Sequence, residues 1–292
     1  MSEGKESTNR MRVAIVVTTF ANPERLDGLL NNMIWSGMPD IPVRVYEDVS
    51  PYDNATAISA MYADVAQRHE VPIKNFGTWQ CMQGVFRSAL YEAEEDWVIW
   101  VPDDVSFLRG GLWQEYANVL AYGREFVAAI QAPYWNANDL HSMGLIPSRG
   151  AIYDPDVLGN GIPRNPHWDW FGIPRTYINV NGAGFAVRPS FVRKVEIPLC
   201  TWRFDEWIGY CAWMSGKVCI TSPGPPRLHY GAGGSSCMPP GLDYHTEAAW
   251  ERATGGITVQ ECSTMMYSIK NKLPGEDWNQ VLDFFSKGGR LC

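Results

Sequence analysis

The run Arg12-Val-Ala-Ile-Val-Val-Thr-Thr is apolar and β-branched without a break, and a helical repeat follows it closely. A strand with one wet face alternates apolar and polar residues. This one does not, so it predicts a strand covered on both faces, as in the middle of a parallel sheet. Asn22-Pro23 then supplies an N-cap residue and a proline for the first helical position. Leu26, Leu29, Leu30, Met33 and Ile34 continue at helical spacing. The pattern recurs: Val43–Tyr46 predicts a second strand, and Asn54–Gln67 a helix with Ile58, Met61, Tyr62 and Val65 on one face. Met82, Val85, Phe86, Ala89 and Leu90 mark a third helix, and Trp97–Val101 a strand that runs into Pro102-Asp103-Asp104. Strands and helices alternating in this way imply an α/β fold, a mostly parallel sheet flanked by helices.

Ligands of such folds bind beyond the carboxyl ends of the strands. Three strand ends here are polar or acidic: Thr18-Thr19, Glu47-Asp48 and Asp103-Asp104. The second half is less regular. Residues 133–177 are rich in Pro, Gly, Trp and Asn with no sustained period, and a long irregular segment in a compact chain is more often functional than idle. Tyr177–Val187 reads as one strand broken by Gly182 and Gly184, Trp207–Ser215 as a short helix and Lys217–Thr221 as a strand. Residues 223–241 read as a Gly/Pro/Ser loop, and the remainder as weakly helical.

A net charge of −8 and the lack of any Lys/Arg run weigh against a protein that grips nucleic acid through its phosphates. Thirteen Trp residues exceed what a core alone requires and hint at a stacking platform for a sugar or a base. Trp135, His167, Trp168 and Trp170 fall in the irregular region and are candidates for it. Seven Cys with no CxxC spacing fit reduced thiols better than a disulfide framework. Met1 to Met11 is polar, without the apolar segment of a signal peptide, and no run is long enough for a membrane span. The expectation is a soluble, cytoplasmic protein.

Asp103 and Asp104 directly follow an apolar strand. Two ionised carboxylates in a partly buried cleft repel each other, and a divalent cation relieves the repulsion. A solvated turn accounts for the same pair without a ligand. His229 stands before the Gly-rich stretch Tyr230-Gly-Ala-Gly-Gly-Ser-Ser. Imidazole beside carboxylates suits manganese or another transition ion better than calcium, while an isolated His is often only a hydrogen-bonded structural residue. Asp205-Glu206 precedes a helix. The helix dipole alone favours carboxylates there, and a general base for an acceptor hydroxyl is the functional alternative. Gly182-Ala183-Gly184 interrupts a strand, either as a bulge or because a sugar ring approaches the backbone.

In their order and spacing these segments resemble family 2-type glycosyltransferases of the GT-A, Rossmann-like fold, over residues 12 to about 236. Val16-Val-Thr-Thr-Phe-Ala-Asn-Pro is similar to that family's opening, and Glu47-Asp-Val-Ser50 to its acidic turn after the second strand. The resemblance implies that Asp48 binds the nucleotide base, that Thr18 and Phe20 line its pocket, and that Asn75-Phe-Gly77 is the family's Asn-x-Gly segment, with Asn75 and Gly77 at the substrate. Val101-Pro-Asp-Asp-Val105 resembles the DXD motif, with Pro102 at a position where many members have Asp. Asp104 is then the direct metal ligand, Asp103 lies nearer the ribose or a metal-bound water, and His229 is a late metal ligand. Gly182, Ala183 and Gly184 would lie beside the donor sugar. Phe204-Asp-Glu-Trp207 is similar to the acceptor-side acidic motif with its order reversed, so the base is Asp205 or Glu206, alignment favouring Glu206, with Trp207 beside the substrate.

The function so implied is transfer of a sugar, hexosyl or pentosyl, from a nucleoside diphosphate sugar, UDP-linked, to an acceptor hydroxyl. It would proceed with inversion and with Mn2+ (or Mg2+) as cofactor. The acceptor is a glycan or small molecule, or alternatively a hydroxymethylated base in DNA as in bacteriophage transferases. A non-catalytic nucleotide-sugar-binding module is the third reading. Nucleotidyl transfer is disfavoured because Thr18-Thr-Phe-Ala-Asn-Pro lacks a Gly-rich loop with a Lys. Behind a disordered leader over 1–11, a single domain over 12–292 would comprise a nucleotide-binding half (12–130), a donor-sugar and acceptor half (131–245) and an extension (246–292), an irregular acceptor-side half thus following a regular one.

Overall fold

The computed structural model of the chain describes residues 11–49, 54–78, 80–107, 110–131, 134–136, 174–180, 182, 184–194, 203–222, 227–229 and 246–292, with the backbone alone at 81–83, 134–136 and 227–229. The first half alternates: β1 (Val13–Phe20), α1 (Pro23–Trp35), β2 (Val43–Asp48), α2 (Ala55–Arg68), β3 (Ile73–Asn75), α3 (Cys81–Glu92) and β4 (Trp97–Pro102), of which all but the short β3 are expected from the sequence. Then come β5 (Val105–Phe107), α4 (Gly111–Tyr122), β6 (Val127–Gln131) and β7 (Tyr134–Asn136). The second half adds β8 (Arg175–Tyr177), β9 (Phe185–Val187), α5 (Pro189–Val192), α6 (Phe204–Met214), β10 (Val218–Thr221) and β11 (Arg227–His229). Three helices close the chain: α7 (Glu247–Ala253), α8 (Val259–Lys270) and α9 (Trp278–Ser286).

One eight-stranded sheet runs β3-β2-β1-β4-β9-β6-β10-β8, and a three-stranded sheet runs β5-β11-β7. All eight residues of β1 are buried, because it lies between β2 and β4, parallel to both, with helices over each face. That is the environment its unbroken apolar run predicts. At the head of α1 the Asn22 side chain accepts from the Arg25 amide and Pro23 takes the first turn. Leu26, Leu29, Leu30 and Met33 then pack inward, while Ile34 ends up 61% exposed. Met61 is likewise exposed on α2, where Tyr62, Val65 and Ala66 carry the packing. On the other face of the sheet, Trp100 sits among Phe86, Phe185 and Phe204 at ring distances of 4.8 to 5.3 Å.

Tyr177–Val187 is not one strand. β8 lies at the sheet edge beside β10, and β9 lies inside the sheet, antiparallel to both β4 and β6. The chain must pass two strands between them, and Gly184, at φ +97°, lies just before β9. The stretch beyond 246, weakly patterned in sequence, forms three helices, of which α8 packs on α6 and α9 on β8.

α6 docks on the segment before β9 at very close range. A Cβ on Gly209 would stand 2.6 Å from Asn179 Cβ and 2.9 Å from the Ile178 carbonyl oxygen. One turn on, the Trp213 indole N–H donates to that same carbonyl at 2.7 Å. Alanine at 209 would gain about 1 kcal/mol of helix propensity, but backbone neighbours cannot swing aside and overpacking costs about 1–3 kcal/mol. The clash wins. Gly209→Ala is expected to lower stability by about 1 kcal/mol in chemical denaturation, and an unchanged midpoint would refute this packing.

Candidate functional site

The register of the parallel strands gathers the polar strand ends. Thr19 pairs with Glu47 and Phe20 with Asp48 across β1–β2, and Thr18 pairs with Pro102 across β1–β4. Asp103 and Asp104 therefore leave β4 beside the end of β1. Asp103 is buried, and its Oδ2 accepts from the Thr19 hydroxyl at 2.6 Å and from the Phe20 amide at 3.3 Å. The Thr19 hydroxyl in turn lies 2.9 Å from the Tyr62 hydroxyl, which accepts the Asn22 amide at 2.6 Å. Since each hydroxyl has one proton, the chain runs in one direction: Asn22 N–H to Tyr62, Tyr62 to Thr19, Thr19 to the carboxylate. Even so, burial, and after it the charge of Asp104, push Asp103 up to about 7. Paired carboxylates of this kind have the chemistry that a divalent cation relieves.

Strand alternation sends Thr18 to the opposite face, where its hydroxyl accepts the Trp100 indole N–H at 2.9 Å. Thr19, rather than Thr18, thus faces the acidic pair. Glu47 is buried and accepts from Ser59 Oγ at 2.6 Å and Asn75 Nδ2 at 3.0 Å. Burial raises its pKa against those two bonds. The Asn75 side-chain oxygen also accepts the Gly77 amide at 2.6 Å, closing a turn in which Gly77 has φ +71°. Asp48, one residue further, accepts the Gln80 amide at 2.7 Å at the start of α3.

β5 starts one residue after Asp104 and pairs antiparallel with β11, with His229 opposite Val105. The acidic pair and the late histidine, 125 residues apart in sequence, therefore meet through one strand pairing of the small sheet. The position of β5 is fixed from outside by α1: the Asn32 side chain donates to the Phe107 carbonyl at 3.0 Å and accepts the Phe107 amide at 2.6 Å.

On the other side of the sheet, Asp205 Oδ2 accepts the Gly182 amide at 2.9 Å, and Oδ1 accepts the Glu206 amide at 3.0 Å. Burial pushes Asp205 up to about 6 in spite of these bonds. Glu206 is gripped by Arg203, whose Nη1 lies 2.9 and 3.1 Å from its two oxygens. Trp207 stacks on Tyr210 at 5.2 Å and meets Trp250 edge-on at 5.8 Å.

The arrangement thus brings Thr19, Phe20, Glu47, Asp48, Asp103, Asp104 and the His229 backbone to one edge, and ties Gly182 to Asp205. Ala183, His167, Trp168, Trp170, Ser50 and the Gly-rich loop after His229 lie outside the described residues, as do the side chains of Trp135 and His229. Tyr62, Ser59 and Asn32, which carry the acidic edge, escape the sequence reading. Tyr62 reads there as an apolar position, and nothing in the pattern marks the other two. Among the described residues no helix is long and apolar enough to cross a membrane.

No protein-family model matches the sequence, and no curated protein matches it. Solved structures do. The mannosyltransferase PcManGT of Pyrobaculum calidifontis, in complex with GDP-Man and Mn2+, matches 76% of this chain and 58% of its own at TM-score 0.53 and 14% identity. TarS (1–349) of S. aureus in complex with UDP-GlcNAc matches 82% of this chain and 64% of its own at TM-score 0.54 and 15% identity. The chain thus spans about six-tenths of the length of either structure. In its mixed sheet flanked by helices and in its likeness to these two, the chain has the fold of the GT-A nucleotide-sugar glycosyltransferases.

Proposed function

We propose that the chain is a metal-dependent glycosyltransferase that moves a hexosyl or pentosyl group from a nucleoside diphosphate sugar, UDP-linked, to a hydroxyl of a glycan or small molecule. The observation that carries this reading is the strand pairing that sets the His229 backbone opposite Val105, directly beyond an acidic pair, buried Asp103 and half-buried Asp104, at the carboxyl edge of the sheet. The complexes of PcManGT with GDP-Man and Mn2+ and of TarS with UDP-GlcNAc add support through the shared fold.

Asp104, Asp103 and His229 would hold Mn2+ or Mg2+, and such an ion supplies Lewis-acid stabilisation to the departing diphosphate. The donor set fits: two carboxylates, one of them raised to about 7 by burial and its neighbour, beside a strand that carries an imidazole residue. Asp48 and Phe20 would flank the base. Thr18 would act at one remove, its hydroxyl holding the Trp100 indole behind the strand end, and Asn75 with Gly77 would shape the turn beside the base. Gly182, Ala183 and Gly184 would leave room for the donor sugar, with Trp207 on the acceptor side.

For the base we favour Asp205 over Glu206. Its carboxylate touches the Gly182 amide, and its proton affinity is raised to about 6, closer to the range in which a base works at neutral pH. Glu206 is instead held in an ion pair with Arg203 at 2.9 Å. Asp205 would take the proton of the acceptor hydroxyl as its oxygen bonds to the anomeric carbon. The sugar–phosphate bond breaks on the opposite side, so the nucleoside diphosphate leaves and the centre inverts.

Two outcomes test this. Calorimetry with UDP and GDP should show binding that strengthens with Mn2+, and Asp104→Asn should remove that gain and lower turnover by roughly 10²-fold. Full turnover in that variant would end the metal assignment. The log of kcat/KM should rise as pH increases through about 6, where Asp205 loses its proton, and level off above it. Asp205→Asn should abolish this limb and cost roughly 10²–10⁴-fold. Should Glu206→Gln do so instead, with Asp205→Asn active, the base is Glu206.

A further inference from the structure

We infer that Asn32 is a positioning residue for the cation site, its amide standing in for a missing strand on the open edge of β5. The inference rests on the glycosyltransferase reading and adds to it a residue on α1, outside any strand end. β5 is three residues long and lies at the edge of its sheet, so one row of its backbone groups has no strand to meet. In an antiparallel ladder alternate residues turn both N–H and C=O to opposite edges. Phe107 turns both of its groups to Asn32, which donates to the carbonyl at 3.0 Å and accepts the amide at 2.6 Å. Ser106 is left to pair with Leu228. A carboxamide matches both groups at once, because it carries a donor and an acceptor side by side.

The consequence reaches the site in two directions. Phe107 is three residues from Asp104, so its height on α1 fixes where the acidic loop stops. It is also the register partner of Arg227, two residues from His229. A second tie, from the Gly110 amide to the Ser36 carbonyl at 2.6 Å, holds the far end of the same segment to the end of α1. With both ties in place, β5 cannot slide along α1, and the distance between Asp104 and the β11 backbone is set. Remove the amide, and β5 and β11 lose their fixed height over β1 and their pairing opens more often.

Amide hydrogen exchange reads the clamp directly and needs no ligand. In the wild-type chain the Phe107 amide should exchange at least tenfold more slowly than an unprotected amide, and Asn32→Ala or Asn32→Asp should release 105–107 and 227–229 selectively, with β1 and β4 unchanged. Fast exchange at Phe107 in the wild type, or wild-type protection in a folded variant, would overturn the inference. Mn2+ binding followed by electron paramagnetic resonance with UDP present reads the consequence: Asn32→Ala should raise the Mn2+ concentration for half-saturation roughly 10-fold, with high Mn2+ restoring UDP affinity. A loss of stability alone would not move that value in the folded protein. Unchanged Mn2+ affinity in Asn32→Ala, where Asp104→Asn loses it, counts against Asn32. If the wild type binds neither nucleotide with Mn2+, the enzyme reading fails, and the exchange data alone decide the clamp.

Discussion

Ser59 and Tyr62 stand three residues apart on α2 and so share one helix face. Opposite them, Glu47 and Thr19 are register partners on adjacent parallel strands and share one face of the sheet. The two polar pairs meet: Ser59 donates to Glu47, and Tyr62 bonds Thr19, whose hydroxyl donates to Asp103. The acidic edge depends on this contact. A buried carboxylate without donors would be driven to its neutral form or out of the fold. Here burial still wins at Asp103, which is raised to about 7, but the hydroxyl chain keeps one oxygen fixed and pointed inward. The site combines a rigid direction with incomplete charge compensation, a state that the proposed cation would complete.

Much of this fold is legible in sequence because β1 and β4 are covered on both faces, which demands nearly unbroken apolar runs, and because α1 announces itself by Asn22-Pro23. Where tertiary contact decides, the pattern fails. Tyr177–Val187 contains strand-forming residues throughout, yet no local signal states that its two ends belong to opposite sides of β6 and β10. Met61 and Ile34 fit an apolar stripe and lie exposed, because the sheet meets a narrower face of each helix than the period suggests.

The site divides along the same line. Residue types with intrinsic chemistry at strand ends, Asp48, Asp103 and Asp104, are conspicuous. The residues that hold them are not, because Ser59, Tyr62 and Asn32 are ordinary on helix surfaces and acquire their roles only through partners 12, 43 and 75 positions away. Thr18 and Thr19 show how fine the distinction is. They are identical neighbours, and the two-residue period of the strand gives one to the Trp100 indole and the other to the acidic pair.

The two halves of the site are held by different physics. At the acidic edge, side-chain hydrogen bonds fix carboxylates on the ends of rigid strands. On the side proposed for the acceptor, backbone contact does the positioning. Gly209 lets α6 press against Asn179, Trp213 anchors to Ile178, and the first turn of α6 is thereby brought to Gly182. Asp205 is consequently both the acceptor for the Gly182 amide and a carboxyl that burial raises to about 6. A group that moves a proton must be held in place without being fully satisfied as an anion. Two amide donors set against burial produce that balance, whereas Glu206, matched by a guanidinium, lacks it.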